Sequence, residues 1–323
     1  MVKISSILRK QLVMRKVILA TTPCIMGSIY FFGWRSLAVI LLSCLTGFVT
    51  EYLFCKQRNE PASEAVFVTA IIFALIMPPT VPWHVVVIGM LFAVALSKEV
   101  FGGFGRNIFN PAMAGRCFVY ICFPIALTAQ WAPPAQGITG ALTLWTTAST
   151  PDAITSATPM ALMKALQAKP SIISLLIGNI SGTMGVTSAI LILIGGLYLY
   201  YTKTASRETI LSVIISYFII NCILVLIGMP MVSNPFRPLL GGGFLFGAFF
   251  MATDPVSSPK TKKGRIVYGI IIAFFTVVIR NFSVFNGGLM FSVLLGNMLA
   301  PIIDFCVTEY EKKLKITKTS GAA

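Results

Sequence analysis

Ten apolar segments, separated by short charged or Pro/Gly-rich stretches, constrain the fold of this chain more than any other feature. A transmembrane helix needs about twenty apolar residues, because each residue adds about 1.5 Å of length. Only 11% of the residues are charged and 56% are hydrophobic, which leaves too few charges to cover the surface of a soluble domain. The sequence therefore predicts an all-α integral membrane protein with about ten transmembrane helices. The predicted spans are residues 17–32, 37–54, 64–77, 83–96, 112–128, 186–201, 210–226, 239–252, 266–279 and 289–308.

Several of these spans contain, or end at, residues that break helices. Pro78 and Pro79 follow the third span, three consecutive glycines at 241–243 lie within the eighth, and Pro255 comes shortly after it. Irregular backbone at membrane depth is tolerated only where it is covered by protein or lines a cavity. We therefore expect broken or re-entrant helices at these positions. Residues 171–180 are also apolar but too few to cross a bilayer, so we expect an interfacial or re-entrant piece there.

The positions of the Lys and Arg residues predict the direction of the helices. Cytoplasmic loops collect Lys and Arg, and nineteen of the 25 basic residues here fall in loops on one side of the predicted membrane. Five fall on the other side, and Arg116 lies near a helix start. Both termini are therefore predicted to be cytoplasmic. Because these loops account for the formal charge of +15, that charge gives no reason to expect nucleic-acid binding.

The chain also contains a weak internal repeat. Residues 105–110 recur loosely at 279–286, and residues 73–79 parallel residues 249–255, each pair near the end of an apolar segment. A unit of five spans would place its two copies in opposite orientations. We expect one membrane domain of two inverted five-helix repeats, with chance similarity between apolar sequences as the alternative. The expected layout is a first repeat at about 15–130, an extracytoplasmic loop at about 131–185, a second repeat at about 186–308 and a cytoplasmic tail at 309–323.

Cysteine and histidine residues do not form a recognisable metal site. The seven cysteines are scattered through or beside apolar segments without the closely spaced pairs typical of zinc or iron–sulfur ligands. Buried structural thiols are the favoured interpretation, and spacing leaves open a site assembled from distant cysteines. The single histidine, His84, is expected at a membrane interface. We predict no metal centre.

The outer loop contains a polar octet, residues 152–159, that reads Asp-Ala-Ile-Thr-Ser-Ala-Thr-Pro. It resembles the Asp-x-x-[Ser/Thr]-[Gly/Ser]-Ala-Thr signature at which a flavin transferase attaches FMN to a threonine through a phosphoester. Thr158 would be the acceptor, with Asp152, Thr155, Ser156 and Ala157 as the surrounding recognition residues. In the alternative interpretation, the octet is a turn in which Asp152 or Thr155 caps a helix. Thr155 is the alternative acceptor.

Further stretches carry a resemblance to a known family. They are residues 104–116 (FGRNIFNPAMAGR), 247–259 (GAFFMATDPVSSP), 264–265 (GR), 295–297 (LGN) and 300–304 (APIID). Together with Thr158 they resemble the family that contains the D subunit of the Rnf complex and the B subunit of the sodium-pumping NADH:quinone reductase. The resemblance covers nearly the whole chain, and its length of 323 residues is closer to the Rnf member. Ser156 stands where many relatives have Gly, and both residues are small.

This resemblance implies a membrane redox subunit in a chain of flavins and iron–sulfur centres between ferredoxin-linked and NAD-linked partners, coupled to movement of Na⁺ or H⁺. It implies FMN on Thr158, a flavin transferase for maturation, other subunits as partners, and the prokaryotic cytoplasmic (inner) membrane as location. It also implies a second, noncovalent flavin, riboflavin, although no residue marks its pocket. The chain has neither a dinucleotide-binding glycine fingerprint nor a cluster-binding cysteine set, so partner subunits would supply those steps.

Two sets of polar residues inside or beside the spans are candidates for function. Arg106, Asn107, Arg280 and Asn281 are expected to anchor re-entrant backbone or to bind the polar edge of a flavin. The acidic residues Glu99, Asp254 and Asp304 are candidates for an ion pathway, because ionisable groups near membrane depth are functional candidates by default. We place Asp254 first, since it follows a predicted helix break, where a half-helix end can help to bind an ion.

Two other classes of protein remain as alternatives. Inverted repeats and broken helices would suit a small-solute channel or transporter equally well, and Thr158 would then be a turn residue. A membrane-embedded biosynthetic enzyme is disfavoured, because the sequence lacks the paired carboxylates or metal ligands that such chemistry needs.

Overall fold

The computed structural model of the chain describes residues 8–147, 170–229, 234–283, 285 and 287–320. Nearly all regular structure in these residues is helical. The helices before the outer loop are α1 (Leu12–Phe32), α2 (Arg35–Arg58), α3 (Ala65–Leu75), α4 (Trp83–Leu91), α5 (Pro111–Cys122) and α6 (Pro124–Thr128). The helices after it are α7 (Ile172–Ile177), α8 (Ala189–Tyr201), α9 (Arg207–Leu226), α10 (Phe236–Leu240), α11 (Phe244–Phe246), α12 (Lys262–Phe282) and α13 (Leu289–Ser320).

Four short elements complete the description. The π-helical segments Phe92–Glu99 and Gly247–Met251 continue α4 and α11. The two-residue strands β1 (Leu8–Arg9) and β2 (Ala62–Ser63) pair in parallel and join the start of the chain to the α2–α3 connection. π-Helical turns are rare and frequently occur at functional sites.

The structure confirms the predicted all-α membrane fold. Within the described residues, 5 helices are long and apolar enough to cross a membrane: α1, α2, α9, α12 and the Leu289–Leu314 part of α13. The other predicted spans correspond to shorter helical pieces, namely α3, α4 with its π-helical continuation, α5 with α6, α8, and α10 with α11. The division into two inverted repeats stays a prediction.

Helices break at the positions that the sequence indicates. Helix α3 ends at Leu75, just before Pro78, and the three glycines at 241–243 separate α10 from α11. Gly242 and Gly243 have φ angles of 62° and 68°, in the left-handed region that residues with a Cβ rarely adopt. Helix α7 is a short piece of 6 residues within the predicted interfacial segment.

One apolar core extends through both halves of the chain. Helix α1 packs against α3 and α8, while α9, α12 and α13 pack side by side and α13 reaches α5. A Cβ at Gly195 in α8 would clash with the carbonyl oxygen of Ala20 in α1, so this contact requires glycine. Large apolar side chains remain exposed on the outside of the long helices, as on Leu41 and Ile215. Such a surface suits contact with lipid.

Candidate functional site

The predicted flavin acceptor Thr158 and its neighbours Asp152, Thr155, Ser156 and Ala157 lie outside the described residues. Their environment is therefore considered through the segments that enter and leave this loop.

Both flanks of the loop are attached to the end of the bundle that carries the α1–α2 turn, which we call the outer end. The backbone N–H of Arg35, at the start of α2, donates to the carbonyl oxygen of Trp145 at 2.8 Å. After the loop, the N–H of Met184 donates to the carbonyl oxygen of Met77 at 3.0 Å, beside the break that follows α3. The loop that contains Thr158 thus begins and ends at the outer end.

Arg35 holds the first helix break at this outer end. Its guanidinium group donates hydrogen bonds to the carbonyl oxygens of Pro79, Thr80 and Val81, the last at 2.5 Å. The same group lies 4.9 Å from the ring centroid of Trp83. Carbonyl oxygens freed by a helix break need donors, and the fork of an arginine supplies several. From the sequence, Arg35 was only a topology signal, because the contact joins residues more than forty positions apart.

Arg280 holds the second helix break in the same way. It is 3% exposed. Its guanidinium group donates to the hydroxyl of Tyr217 at 2.8 Å and to the carbonyl oxygens of Pro238 at 2.8 Å, Gly242 at 3.0 Å and Gly287 at 3.3 Å. A buried cation is thus satisfied by neutral acceptors around the broken segment. We expected Arg280 either to anchor re-entrant backbone or to bind the polar edge of a flavin, and these contacts anchor backbone.

Arg106 and Asn107 lie at the opposite, inner end of the bundle. Arg106 is exposed and lines a cavity together with Arg58, the last residue of α2. Asn107 is buried, and its amide donates to the carbonyl oxygen of Phe109 at 2.9 Å, within the connection that leads into α5.

Arg280 and Asn281 lie near the far end of α5. There, the ring of Tyr120 contacts that of Phe285, with centroids 5.8 Å apart, just after α12 ends. Asn281 is half-buried beside Arg280. The structure therefore does not bring the two Arg–Asn pairs into one site, because α5 separates them along its length.

A pair of buried asparagines connects the two halves. The side-chain oxygen of Asn297 in α13 accepts the N–H of Asn110 at 3.1 Å, and the Asn110 amide donates to the carbonyl oxygen of Met251 at 3.4 Å. The Asn297 amide donates to the Ser257 carbonyl oxygen at 3.1 Å and to the Tyr268 hydroxyl at 2.8 Å. Both asparagines belong to stretches that carry the family resemblance, but the sequence does not show that they touch.

Asp304 serves the start of α12. Its carboxylate accepts the backbone N–H of Lys260 at 2.7 Å, and the N–H and hydroxyl of Thr261 at 3.0 and 2.6 Å. A carboxylate near a helix N-terminus is stabilised by the helix dipole. This placement joins α13 to α12 at the inner end.

Asp254 borders a small cavity between the halves. Its carboxylate accepts the Ser257 hydroxyl at 2.7 Å and the Val256 N–H at 3.2 Å. The cavity has a volume of about 70 Å³ and is also lined by Lys98 and Asn110. Burial raises the pKa of Asp254 above its ordinary value, and the hydrogen bond from Ser257 opposes this shift. Asp254 and Asp304 therefore occupy different environments.

Two ion pairs lie near this cavity, where α2 meets the first π-helical segment. Lys98 and Glu51 are 2.5 Å apart, with side chains 2% and 1% exposed, and Glu51 also accepts the N–H of Ser63 at 2.8 Å. Glu99, whose side chain is fully buried, pairs with Arg58. From the sequence, Lys98 was only a topology signal, and Glu51 was not singled out. Both residues lie in or beside apolar spans, where charges are rare, and this was the sequence feature that could have marked them as functional candidates.

One group within the described chain could hold a cation. Glu51, Cys55 and Glu99 are all buried, and one potential ligand atom from each lies within 4.8 Å of the others. Sequence patterns for metal sites rely on ligands a few residues apart. Glu51 and Glu99 are 48 positions apart, so no such pattern could have identified this group.

Comparison with known proteins shows the family to which the chain belongs. The sequence matches the model of the NQR2, RnfD, RnfE family over residues 4–313. It is 31% identical to the D subunit of the ion-translocating oxidoreductase complex of Aliivibrio salmonicida, with 91% of this chain and 92% of that protein aligned. It is 36% identical to the B subunit of the Na(+)-translocating NADH-quinone reductase of Ectopseudomonas mendocina, with 91% of this chain and 71% of that protein aligned.

Proposed function

Because this chain belongs to the NQR2, RnfD, RnfE family, we propose that it is a membrane electron-relay subunit of an ion-translocating oxidoreductase complex. In this proposal FMN is held covalently by Thr158 as a phosphoester and passes electrons between partner centres. The other subunits supply the sites for ferredoxin and pyridine nucleotide. The observation that carries the proposal is the octet at 152–159, within a chain that matches the family over residues 4–313.

The chemistry of Thr158 fits attachment by a separate enzyme. A threonine hydroxyl is a weak nucleophile and needs an activating partner, and no cluster of bases accompanies the octet in the sequence. A flavin transferase would supply that activation and would need the hydroxyl to be accessible. Ser156 and Ala157 beside it are small enough to leave access. The flanking contacts of Arg35 and Met184 support an attachment site at the outer end.

The charge pattern supports an extracytoplasmic position for Thr158. Basic side chains concentrate at the inner end, which would face the cytoplasm together with both termini. The chain would lie in the prokaryotic cytoplasmic membrane, and electron transfer through it would be coupled to movement of Na⁺ or H⁺. Glu99 and Asp254 border the inner cavities and are the pathway residues that we favour, with Asp304 beside α12 as a third. Riboflavin is proposed as a second, noncovalent flavin.

Covalent flavin can be tested directly on a denaturing gel. The chain is produced in cells that contain the flavin transferase, and the gel is viewed under ultraviolet light. We expect a fluorescent band for the wild type and for Thr155→Ala, and no fluorescence for Thr158→Ala. Because the new bond joins the Thr158 oxygen to the FMN phosphate, mass spectrometry should show a peptide heavier by FMN less one water.

The outcomes separate the proposal from its rivals. A dark wild-type band with the transferase present would contradict the relay and favour the small-solute channel or transporter. Fluorescence that disappears in Thr155→Ala and persists in Thr158→Ala would move the attachment to the alternative acceptor.

A further inference from the structure

A cavity of about 270 Å³ lies at the inner end of the bundle, beside the Lys98–Glu51 and Arg58–Glu99 ion pairs. Its lining includes Glu51 and Glu99, which are 1% and 3% exposed. In the described part of the chain, the buried Oε1 atom of Glu99 has no hydrogen-bond partner. A buried carboxylate oxygen without a partner is costly unless water or a cation satisfies it. The wall of this cavity therefore contains an unsatisfied acceptor.

Further ligand atoms lie close to the Glu99 carboxylate. One carboxylate oxygen of Glu51 and the thiol sulfur of Cys55 lie within 4.8 Å of a carboxylate oxygen of Glu99 and of each other. Two carboxylates this close repel each other, which favours uptake of a proton or of a cation between them. Carboxylate oxygens are hard ligands that suit hard cations.

Lys98 separates this cavity from the smaller one that Asp254 borders. Its ammonium group lies 2.5 Å from Glu51, which lines the larger cavity, whereas Lys98 itself lines the smaller one. Phe104 lines both cavities, and its ring centroid is 5.8 Å from the same ammonium group. The Lys98–Glu51 ion pair and the Phe104 ring thus form the wall between the two spaces.

The buried and half-buried charged groups around the two cavities do not cancel. When ionised, Glu51, Glu99 and Asp254 carry three negative charges, whereas Lys98 and the partly exposed Arg58 carry two positive charges. A single monovalent cation would balance this set. The remaining charged residues that line the larger cavity are exposed and screened by water, namely Arg9, Glu60 and Arg106.

We propose that the larger cavity binds one monovalent cation, Na⁺ or H⁺, on Glu51 and Glu99, and that Lys98 controls its passage toward Asp254. A cation beside Glu51 weakens the attraction between Glu51 and Lys98, so the ammonium group is free to turn toward Asp254. Departure of the cation restores the Glu51–Lys98 pair. Lys98 is therefore a positioning residue. This inference rests on the ion translocation in the proposed function and adds Glu51, Lys98 and the cavity to it.

The test uses the whole complex reconstituted into liposomes. Electron transfer and ion uptake are measured on the same sample, with radioactive Na⁺ in one arm and a pH-sensitive dye in the other. Glu99→Gln removes a negative charge with almost no change of volume. The matched control is Glu309→Gln, which removes an exposed carboxylate paired with Lys312. We expect the ions moved per electron to fall in Glu99→Gln, because the site loses one of its two carboxylates, and to be unchanged in the control.

Lys98 is tested by two substitutions in the same assay. We expect Lys98→Met to uncouple electron transfer from ion uptake, and Lys98→Arg, which keeps the positive charge, to recover part of the coupling. Equal loss in both variants would show that charge is not what matters at this position and would overturn the role of Lys98.

A second measurement does not depend on the folding of any variant. A carbodiimide modifies protonated buried carboxyls, and mass spectrometry locates the modified residue in the wild-type complex. We expect the carbodiimide to modify Glu99; at a fixed pH, slowing by added Na⁺ identifies Na⁺ as the bound ion, and an unchanged rate identifies H⁺. No modification of Glu99, or equal ion-to-electron ratios in Glu99→Gln and Glu309→Gln, would overturn the cation site. Failure of the proposed function is distinct, because the wild-type complex would then lack the fluorescent flavin band or electron transfer.

Discussion

Replacing Arg280 with methionine should destabilise the outer end of the bundle strongly. The guanidinium group makes four hydrogen bonds to acceptors around the second helix break, with lengths from 2.8 to 3.3 Å. Hydrogen bonds to a charged group contribute about 1.5–3 kcal/mol each, and a buried acceptor left without a donor costs about 1–3 kcal/mol. Methionine fills part of the space but donates nothing. Because some acceptors will recruit water, we expect a net loss of about 3–5 kcal/mol.

Arg280→Lys should fall between the wild type and Arg280→Met. Lysine keeps the positive charge, but its three donors radiate from one nitrogen and cannot reach acceptors spread over α9, α10 and the connection after α12. We expect a loss of about 1–3 kcal/mol for this variant.

Thermal unfolding in detergent can measure both losses. A thiol-reactive fluorescent dye reports unfolding as the buried Cys24 and Cys55 become accessible. The matched control is Arg265→Met in the same helix, since Arg265 is about one-third exposed and lies 3.6 Å from Glu208, and an exposed ion pair of this kind contributes less than about 1 kcal/mol. If Arg280→Met unfolds at the same temperature as Arg265→Met, the reasoning about the helix break is wrong.

Two further predictions concern packing and orientation. Gly195→Val should separate α1 from α8, because its Cβ would clash with the Ala20 carbonyl oxygen. We expect the same dye assay to show a loss of stability of about 3 kcal/mol or more. As the control, Gly287→Ala should change stability by less than about 0.5 kcal/mol, because a Cβ at Gly287 meets nothing within 4 Å. For orientation, a membrane-impermeant maleimide should label Thr139→Cys in intact spheroplasts, and Lys260→Cys only after permeabilisation, in a background without native cysteines. Labelling with the opposite sidedness would reverse the predicted topology.

The positions of helices and breaks could be predicted from the sequence, because both depend on local properties. An apolar run favours a membrane helix wherever it packs, and Pro78 or three consecutive glycines interrupt a helix in any fold. Predicted helix ends were less accurate where a helix continues into charged residues beyond the membrane span. Helix α13 continues to Ser320, beyond the predicted span end at residue 308, because charged residues end a membrane span but not a helix. Lys312 and Glu309, three positions apart, even form an ion pair there.

Long-range pairings were not predictable in the same way. Glu51 and Lys98 are 47 positions apart, and Asn110 and Asn297 are 187 apart. Nothing in hydropathy indicates which charged side chains will face each other, since this depends on how α2, the first π-helical segment and α13 pack. The sequence did identify Glu99 and Asp254 as candidates. It could not show that Lys98 lies between their two cavities.

The two ends of the bundle use charge differently, and this difference bears on how electron and ion movements are separated. At the outer end, Arg35 and Arg280 bind carbonyl oxygens and, within the described residues, form no ion pair with a carboxylate. Arginine does not lose its proton in proteins, so these charges are fixed and would favour an anionic phosphoester on the nearby loop. At the inner end, Lys98 pairs with Glu51 of the larger cavity and lines the smaller cavity together with Asp254. Rearrangement of charge is therefore feasible at the inner end, where a cation could exchange with the ammonium group, and is resisted at the outer end, where the proposed flavin is attached.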